Sequence, residues 1–442
     1  MSNTITDKAL AERVALLPKR NGQEPQWLAT LHEGAGKTYQ ALNLPDRTLH
    51  LWRYTDPAQF LYSEESAKSP GATEVGPGVS PAYDTAREQL SEGTLAAVAL
   101  NDSDSAVRIE IEESALHAGL VVMPLAEAGG KHGEIIKQYL AQTIGADFGK
   151  FEALNTTLWE KGVFVFVPDN TTIENPIHLL NRGSASPRWS FPRTLIVVGE
   201  NSRVTIVDEY FSANPDVADK SNAVVEVFGG AGSDVEYVVL ERNNSHTISH
   251  YTERTVLADT AQTTLVAASF GGKTHKANLG TIMQGRQTKS LQYGLVFGSG
   301  KQSFDHHTEH INRGAQGYSN LDFKVVLKDK AHSAYTGLIR VDENIANCEA
   351  YQSNRNLLLN RGAKAESIPE LEILCDEVIC THGATVGPID EMQVFYLLSR
   401  GIPRREAVKM IVRGHVEPTL KLLPESLQPR VRSYVDERLE TL

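Results

Sequence analysis

Between residues 162 and 386, apolar and polar side chains alternate in short runs that are separated by Gly, Asn, Asp or Ser. A period of two is typical of β-strands with one buried face. The runs recur at a spacing of about ten residues with no long helical segment between them, which predicts an all-β core. A sandwich, a barrel and a stacked β-helix all fit this spacing. The clearest runs are residues 194–198, 204–207, 224–228, 235–240, 321–327, 337–341 and 371–373.

The first 150 residues show a mixed and mostly helical pattern. Apolar residues recur at helical spacing in several places, with alternating segments between them. We expect helices near residues 7–17, 27–31 and 131–145, strands near 98–100 and 107–111, and an exposed loop over 64–83.

After Pro388 the pattern becomes helical again. Asp390 followed by Gln393 predicts a capping box, and Gly401 provides a helix stop. Two further helices are expected after Pro403 and Pro429. The chain therefore divides into a mixed, mostly helical region over 1–160, a β core over 161–387 and a helical tail over 388–442.

Composition narrows the class of protein. The formal net charge of −12 argues against a nucleic-acid-binding protein. The three cysteines are too few for a disulfide framework and fit a reducing compartment. The first residues lack the pattern of a signal peptide, and no run approaches the roughly 20 apolar residues of a membrane span. We therefore expect a cytoplasmic protein without membrane or nucleic-acid partners.

The strongest candidate chemistry is carried by Cys380 and His382, near the end of the β-rich region. Side chains at positions i and i+2 of a strand point to the same face, so the sulfur and the imidazole can reach one metal. This ligand pair suits iron or zinc. Two ligands do not close a site, so further donors must come from another chain or from a cluster. The alternative is a small buried thiol and a hydrogen-bonded histidine that only end a strand.

Two other motifs are candidates for a nucleotide site and a metal site. The segment 34–38 (GAGKT) resembles a phosphate-binding loop, but Leu31 occupies the position of the required first glycine and the context is helical, so we expect no nucleotide here. His306, His307 and His310 form the densest histidine cluster. On a helix His306 and His310 would share a face as metal ligands do, whereas on a strand His307 points away from the other two. We favour a structural ladder of histidines on strands, and keep an independent β-barrel metalloenzyme that uses all three as the alternative.

Four longer motifs stand out in the sequence: GVFVFVP (162–168), NPIHL (175–179), YQSNRNLLL (351–359) and PELEILCDEVICTHGATVG (369–387). They resemble the SufB/SufD family of the SUF iron–sulfur cluster assembly system, and within it the SufD branch. The similarity runs continuously from about residue 150 to about residue 415 and is weaker before that.

The resemblance implies a mainly β fold: a right-handed parallel β-helix core flanked by the two helical regions. It implies a non-catalytic scaffold subunit that pairs with SufB and docks the ABC-type ATPase SufC. Cys380 and His382 would face SufB and help to hold a transient iron–sulfur cluster. Cys348 and Cys375 lie where the family has small residues, so we expect both to be buried. A homodimer in the absence of SufB, the cluster type, the iron and sulfur donors and the participation of a flavin all stay open.

The start of the helical tail is locally basic. Such a cluster is either a solvated helix face or a partner-docking face. The resemblance favours docking of the ATPase. The residues are Arg400, Arg404, Arg405, Lys409 and Arg413.

Overall fold

The computed structural model describes residues 25–62 and 80–441, together with Ala11. Its core consists of two ten-stranded sheets. The strands are β1 (Ala97–Asp102), β2 (Arg108–Ile111), β3 (Val121–Pro124), β4 (Gly162–Val167), β5 (Ile177–Arg182), β6 (Trp189–Ser190), β7 (Arg193–Val198), β8 (Arg203–Phe211), β9 (Lys220–Gly229), β10 (Asp234–Glu241), β11 (Ile248–Leu257), β12 (Gln262–Ser269), β13 (Thr274–Met283), β14 (Lys289–Gly298), β15 (Ser303–Asn312), β16 (Tyr318–Leu327), β17 (His332–Val341), β18 (Cys348–Leu358), β19 (Lys364–Ile373) and β20 (Val378–Pro388).

Helices flank this core on both sides in sequence. Short 3₁₀ helices also span His50–Trp52 and Pro57–Phe60. The α-helices in the described ranges are α1 (Gln26–Ala41), α2 (Pro81–Ser91), α3 (Glu113–His117), α4 (Leu125–Lys131), α5 (Gly133–Tyr139), α6 (Lys150–Leu158), α7 (Glu391–Ser399), α8 (Arg404–Leu420) and α9 (Gln428–Glu440).

The chain winds as a solenoid, because consecutive strands go alternately to one sheet and the other. The first sheet has the order β2-β1-β5-β8-β10-β12-β14-β16-β18-β20, and the second has the order β19-β17-β15-β13-β11-β9-β7-β4-β3, with β6 beside β9. Pairing from β4 and β5 onward is parallel. The stacked β-helix is therefore confirmed, and the sandwich and barrel are wrong.

Stacking in register explains why the sequence folds this way. Equivalent positions of successive turns lie opposite one another, as in the column Tyr251, Ala277, His306 and Tyr335. All four of these side chains are buried. Each turn thus covers the apolar face of the turn before it, which an isolated strand cannot do.

Glycines allow the turns to approach closely at a corner. An ideal Cβ on Gly314 would lie 1.7 Å from the backbone oxygen of Gly285, one turn earlier. Atoms that are not bonded to each other cannot approach so closely, so this corner accepts only glycine at position 314.

The outer faces of both sheets are covered by helical regions. On the second sheet, Trp52 packs on Phe151 and stacks on His250 with an interplanar angle of 8°, while the Thr55 hydroxyl donates to Asp305 at 2.5 Å. On the first sheet, α8 and α9 bury an apolar stripe against strand residues. The stripe includes Val412, Val416, Val431 and Val435, and the strand residues include Val238, Leu240, Leu295 and Phe297.

Some details of the N-terminal half differ from the predictions. The predicted helix over 7–17 lies outside the described residues apart from Ala11, as does most of the predicted loop over 64–83. Residues 81–83 belong to α2 instead of a loop. The helix predicted over 131–145 is shorter and ends at Tyr139. The segment 34–38 lies within α1, so it forms a helix and no phosphate loop.

The expected regional boundaries at 160/161 and 387/388 stay predictions. The strands β1, β2 and β3 come from the first region but join the two sheets of the core. Among the described helices, none combines the length and the apolar character needed to cross a bilayer.

Candidate functional site

The two ends of the solenoid differ. At one end, each sheet finishes in a four-residue strand that runs antiparallel to its neighbour, β2 beside β1 and β3 beside β4. At the other end, the sheets finish in β19 and β20, of 10 and 11 residues, which run parallel to β17 and β18. Short strands blunt an edge, whereas long ones present a row of unpaired backbone groups. The end formed by β19 and β20, which we call the open end, therefore presents two long strand edges.

Apolar side chains are exposed on the open end. Leu371 of β19 and Val386 of β20 are 37% and 47% exposed. Leu371 lies in register with Ile339, which is fully buried one turn earlier. The position is thus part of the solenoid interior, and it is exposed because no further turn of the described chain covers it. The open end therefore exposes apolar side chains at positions that are buried one turn earlier.

Cys380 and His382 lie on this last turn. Within β20, Cys380 is in register with Ala350 and His382 with Gln352, and both of these β18 residues are buried in the interior. Because side chains in register point the same way, the thiol and the imidazole both face the interior column at its open end. Cys380 is half-buried, and His382 is exposed.

The three cysteines of the chain come together at this end. Cys348 is buried with Val341 and Ile345, and Cys375 and Cys380 pack against this group. All three thiols are free. Cys348 is buried as predicted, whereas Cys375 is only half-buried because residues 374–377 form an exposed turn.

The Cys380 thiol is protonated in the isolated chain. Burial, and then the neighbouring Cys348 and Cys375, raise its pKa above that of an ordinary thiol. A metal that binds the thiolate must therefore displace a proton.

The histidine cluster is structural. His306 and His310 lie in the interior, within hydrogen-bonding distance of Ser269 (3.0 Å) and Ser290 (3.1 Å). Burial lowers the pKa of His310 to about 3 and that of His306 well below its usual value, so both stay neutral. His307 is on the opposite face of β15, so the three do not converge. In the part of the chain that the structure describes, no three His, Cys, Asp or Glu residues are grouped to hold a metal ion.

A structural role is therefore favoured, but the predicted ladder is wrong, because the residues in register with His306 are Ala277 and Tyr335. The barrel assumed in the metalloenzyme alternative is also wrong, because the core is a solenoid.

The basic residues of the tail are matched by nearby acids. Arg404 donates two hydrogen bonds to Glu391 at 2.8 and 2.6 Å, and Arg413 donates to Asp436 at 2.8 Å. The carboxylate of Glu440 pairs with both Arg405 and Lys409, and Lys409 is itself buried. Arg400 lies over the Tyr396 ring at 5.3 Å.

Helix α7 carries an exposed apolar face that the sequence analysis missed. Asp390 caps the helix by accepting from the Met392 amide at 2.9 Å, and Gly401, with φ of +84°, ends the turn that follows. Within α7 only Val394 is buried. The signal in the sequence was that α7 contains more apolar residues than a helix needs when only one of its sides is buried. The exposed residues are Met392 (72%), Phe395 (63%), Tyr396 (57%) and Leu398 (40%).

Comparison with known families agrees with this architecture. A model described as "SUF system FeS cluster assembly, SufBD core domain" matches residues 180–415, and one described as "SufBD protein N-terminal region" matches residues 21–179. The chain belongs to the SufBD family.

Individual SufBD relatives resemble the chain over nearly its whole length. An iron–sulfur cluster assembly protein SufD of Bacillus subtilis is 26% identical over 438 residues, which cover 95% of both chains. Iron–sulfur cluster assembly SufBD family proteins of Staphylococcus saprophyticus and Staphylococcus epidermidis are each 24% identical over 422 residues, which cover 95% of this chain and 90% of the relative. The family resemblance drawn from the sequence motifs is thus confirmed.

Proposed function

We propose that this SufBD protein is a SufD-like, non-catalytic scaffold subunit on which an iron–sulfur cluster is assembled. The observation that carries the proposal is the position of Cys380 and His382. Both lie on the one long strand that ends the first sheet, with their side chains at the uncovered end of the interior. Ligands at this position are accessible to a partner that covers the open end.

The partner at the open end is proposed to be SufB, a second solenoid of the same family. Backbone groups on the outer edges of β19 and β20 can each accept a strand, as in other strand-addition interfaces. A partner built from two stacked sheets offers two edges at matching separation, which a single strand does not. A second copy of this chain has the same two edges, so a homodimer is the expected substitute when SufB is absent.

The cluster is cargo that the two subunits would hold between them. Cys380 and His382 provide one thiolate and one imidazole, a ligand pair known from iron–sulfur proteins. The remaining positions on iron would be filled by groups of SufB and by cluster sulfide. Since Cys380 carries a proton in the isolated chain, this chain would bind iron weakly alone and more tightly in the complex.

The ATPase SufC is proposed to dock on the C-terminal helices. The exposed apolar face of α7 supplies the buried contact that a stable interface needs. The basic residues Arg400, Arg404, Arg405 and Arg413 would lie at the rim and add little binding energy, because most of their charge is already matched within the tail. Lys409 is buried and paired with Glu440. Nucleotide binding and hydrolysis would belong to SufC.

Charge placed on the open end tests the proposal. Leu371→Lys with Val386→Lys puts two cations where a partner must bury apolar surface, whereas Leu116→Lys is the matched control, since Leu116 is 57% exposed on α3, away from this end. We expect the double variant to lose co-purification with SufB while keeping its circular dichroism spectrum, and the control to behave as the wild type. Full-strength pairing by the double variant would mean that SufB binds elsewhere.

A further inference from the structure

The turn between the last two strands places a second thiol on the same buried group that the proposed cluster ligand packs against. Cys375 and Cys380 belong to the same, terminal turn of the solenoid and both pack against the buried group around Cys348. All three cysteines of a 442-residue chain thus meet at one end.

We infer that Cys375 and Cys380 form a reversible disulfide, and that this disulfide is a modification that removes Cys380 from the open end as a ligand. The second part rests on the proposed function, because it concerns the ligand role of Cys380. The first part concerns only this chain and stands without it.

The choice of Cys375 over Cys348 follows from how the backbone is held at each position. Cys348 is fully buried on β18, which is paired on one side with β16 and on the other with β20. Cys375 lies in the exposed loop between β19 and β20. The hydrogen bonds that tie this loop to the previous turn of the solenoid are made by the Leu374 amide and the Glu377 carbonyl oxygen, on either side of Cys375. A disulfide needs the two Cα atoms to be about 6 Å apart. The loop can adjust to that distance, while a strand paired on both sides cannot.

The oxidation balances with a small disulfide as the oxidant. The Cys375 thiolate attacks one sulfur of the small disulfide, forms a mixed disulfide and releases one small thiolate. The Cys380 thiolate then attacks the Cys375 sulfur and releases the second small thiolate, so two electrons pass from the protein to the oxidant. Cys375 is the entry point because Asp376 and Glu377 beside it are exposed and leave it open to solvent.

Treatment of the reduced chain with oxidised glutathione, followed by peptide mapping under non-reducing conditions, tests the first part. We expect a Cys375–Cys380 link in the wild type and in Cys348→Ser, and its loss in Cys375→Ser. A link from Cys380 to Cys348, or a mixed glutathione disulfide that persists on wild-type Cys375, would overturn the inference.

The second part is tested after excess oxidant has been removed. Cluster assembly by the oxidised chain with SufB and SufC should fall to background, and dithiothreitol should restore it. If the link forms but the oxidised chain assembles clusters as fast as the reduced chain, the loss of ligation is disproved. Failure of the link leaves the proposed function intact, since that function is judged on reduced protein with substitutions at His382.

Discussion

Gln352 and His382 lie in register on the last two strands of the first sheet, and only Gln352 is covered. The Gln352 amide donates to the backbone oxygen of Gly337 at 3.1 Å inside the solenoid, while the imidazole one turn later is exposed. Within this column of the interior, the residue of one turn makes a buried hydrogen bond, and the residue of the next turn is accessible as a ligand.

Replacement of His382 by Ala should impair cluster assembly without unfolding the protein. An exposed imidazole contributes little packing, so we expect a change in the free energy of unfolding of less than about 0.5 kcal/mol. The lone pair that binds iron is lost, so cluster yield per folded complex should fall strongly. Cys380→Ser should have a similar or milder effect, since oxygen is a poorer ligand for iron than sulfur.

Cys348→Ala is the control for that experiment. It should cost about 1 kcal/mol of stability, because the thiol is buried, and leave assembly per folded complex unchanged. A loss of yield in His382→Ala that merely follows a loss of folded protein would show that His382 is structural.

Alkylation of Cys380 should depend on pH. Its pKa is raised by burial and by the two neighbouring thiols, so the thiolate fraction at neutral pH is lower than in an unfolded chain. The rate of iodoacetamide labelling should rise about tenfold per pH unit and reach its midpoint above that of the unfolded protein. A midpoint at or below that of the unfolded protein would contradict a raised pKa of Cys380 in the folded chain.

Asp208 should make the stability of the solenoid depend on pH. Burial raises its pKa from 3.8 to about 6, although Tyr210, Tyr237 and Asn181 all donate to it. The folded state therefore binds the proton more tightly than the unfolded state, and its advantage is complete below pH 3.8 and is lost as the pH rises through 6. The shift corresponds to about 3 kcal/mol.

Denaturant unfolding of wild type and Asp208→Asn at several pH values isolates this effect, because other buried carboxyls titrate alike in both. The difference between the two proteins should change by about 2 kcal/mol between pH 4 and pH 7, in favour of the variant at the higher pH. A constant difference would show that Asp208 does not titrate in this range.

Gly314→Ala should destabilise the solenoid by about 3 kcal/mol or more, because the added methyl meets the fixed backbone oxygen of Gly285. Gly414→Ala is the matched control. Gly414 is exposed within α8 and has open space around its Cα, so alanine should stabilise the helix by up to about 1 kcal/mol. Urea unfolding of both variants measures the contrast, and equal effects would refute the close approach at the corner.

Docking of SufC should depend on the apolar face of α7. Phe395→Asp puts a charge at the centre of that face and should abolish capture of SufC, whereas Arg413→Ala should weaken it little because Arg413 is already paired with Asp436. Point changes are needed here because removing the whole tail would strip α8 and α9 from the first sheet and expose its apolar face. If Arg413→Ala weakens SufC capture more than Phe395→Asp does, the binding energy comes mainly from the basic residues.

The period of two and the regular turn spacing predict an all-β core, since both are local properties. They fit a sandwich or a barrel equally well, and the solenoid was expected only from the family resemblance. The sequence also predicts that Cys380 and His382 share a face, because the alternation within one strand does not depend on the rest of the fold. The convergence of Cys348 with Cys375 and Cys380 could not be predicted, since it depends on how many residues each turn of the solenoid consumes. The exposure of Cys375 follows from the conformation of one short turn, which the apolar neighbours Ile373 and Leu374 conceal in the sequence.

In the C-terminal tail, too, the sequence predicts the elements but not which of their faces are covered. Periodicity predicts its helices, but which faces are covered depends on where α8 and α9 pack on the first sheet. The basic cluster of the tail is prominent in the sequence, yet most of its residues form ion pairs within the tail. The apolar face of α7 is identified only when the structure shows what lies beside it.

The contact of Thr55 with Asp305 has a consequence for biosynthesis. These residues are 250 positions apart in the chain, and Trp52 packs on His250 in the same layer. During synthesis, the segment that contains Thr55 leaves the ribosome long before the strands that it covers. Trp52 cannot stack on His250 until β11 has been made, and Thr55 cannot bond to Asp305 until β15 has been made. Trigger-factor-like holdases that shield aromatic segments of nascent chains should therefore raise the yield of this protein more than that of a solenoid without such an N-terminal cover.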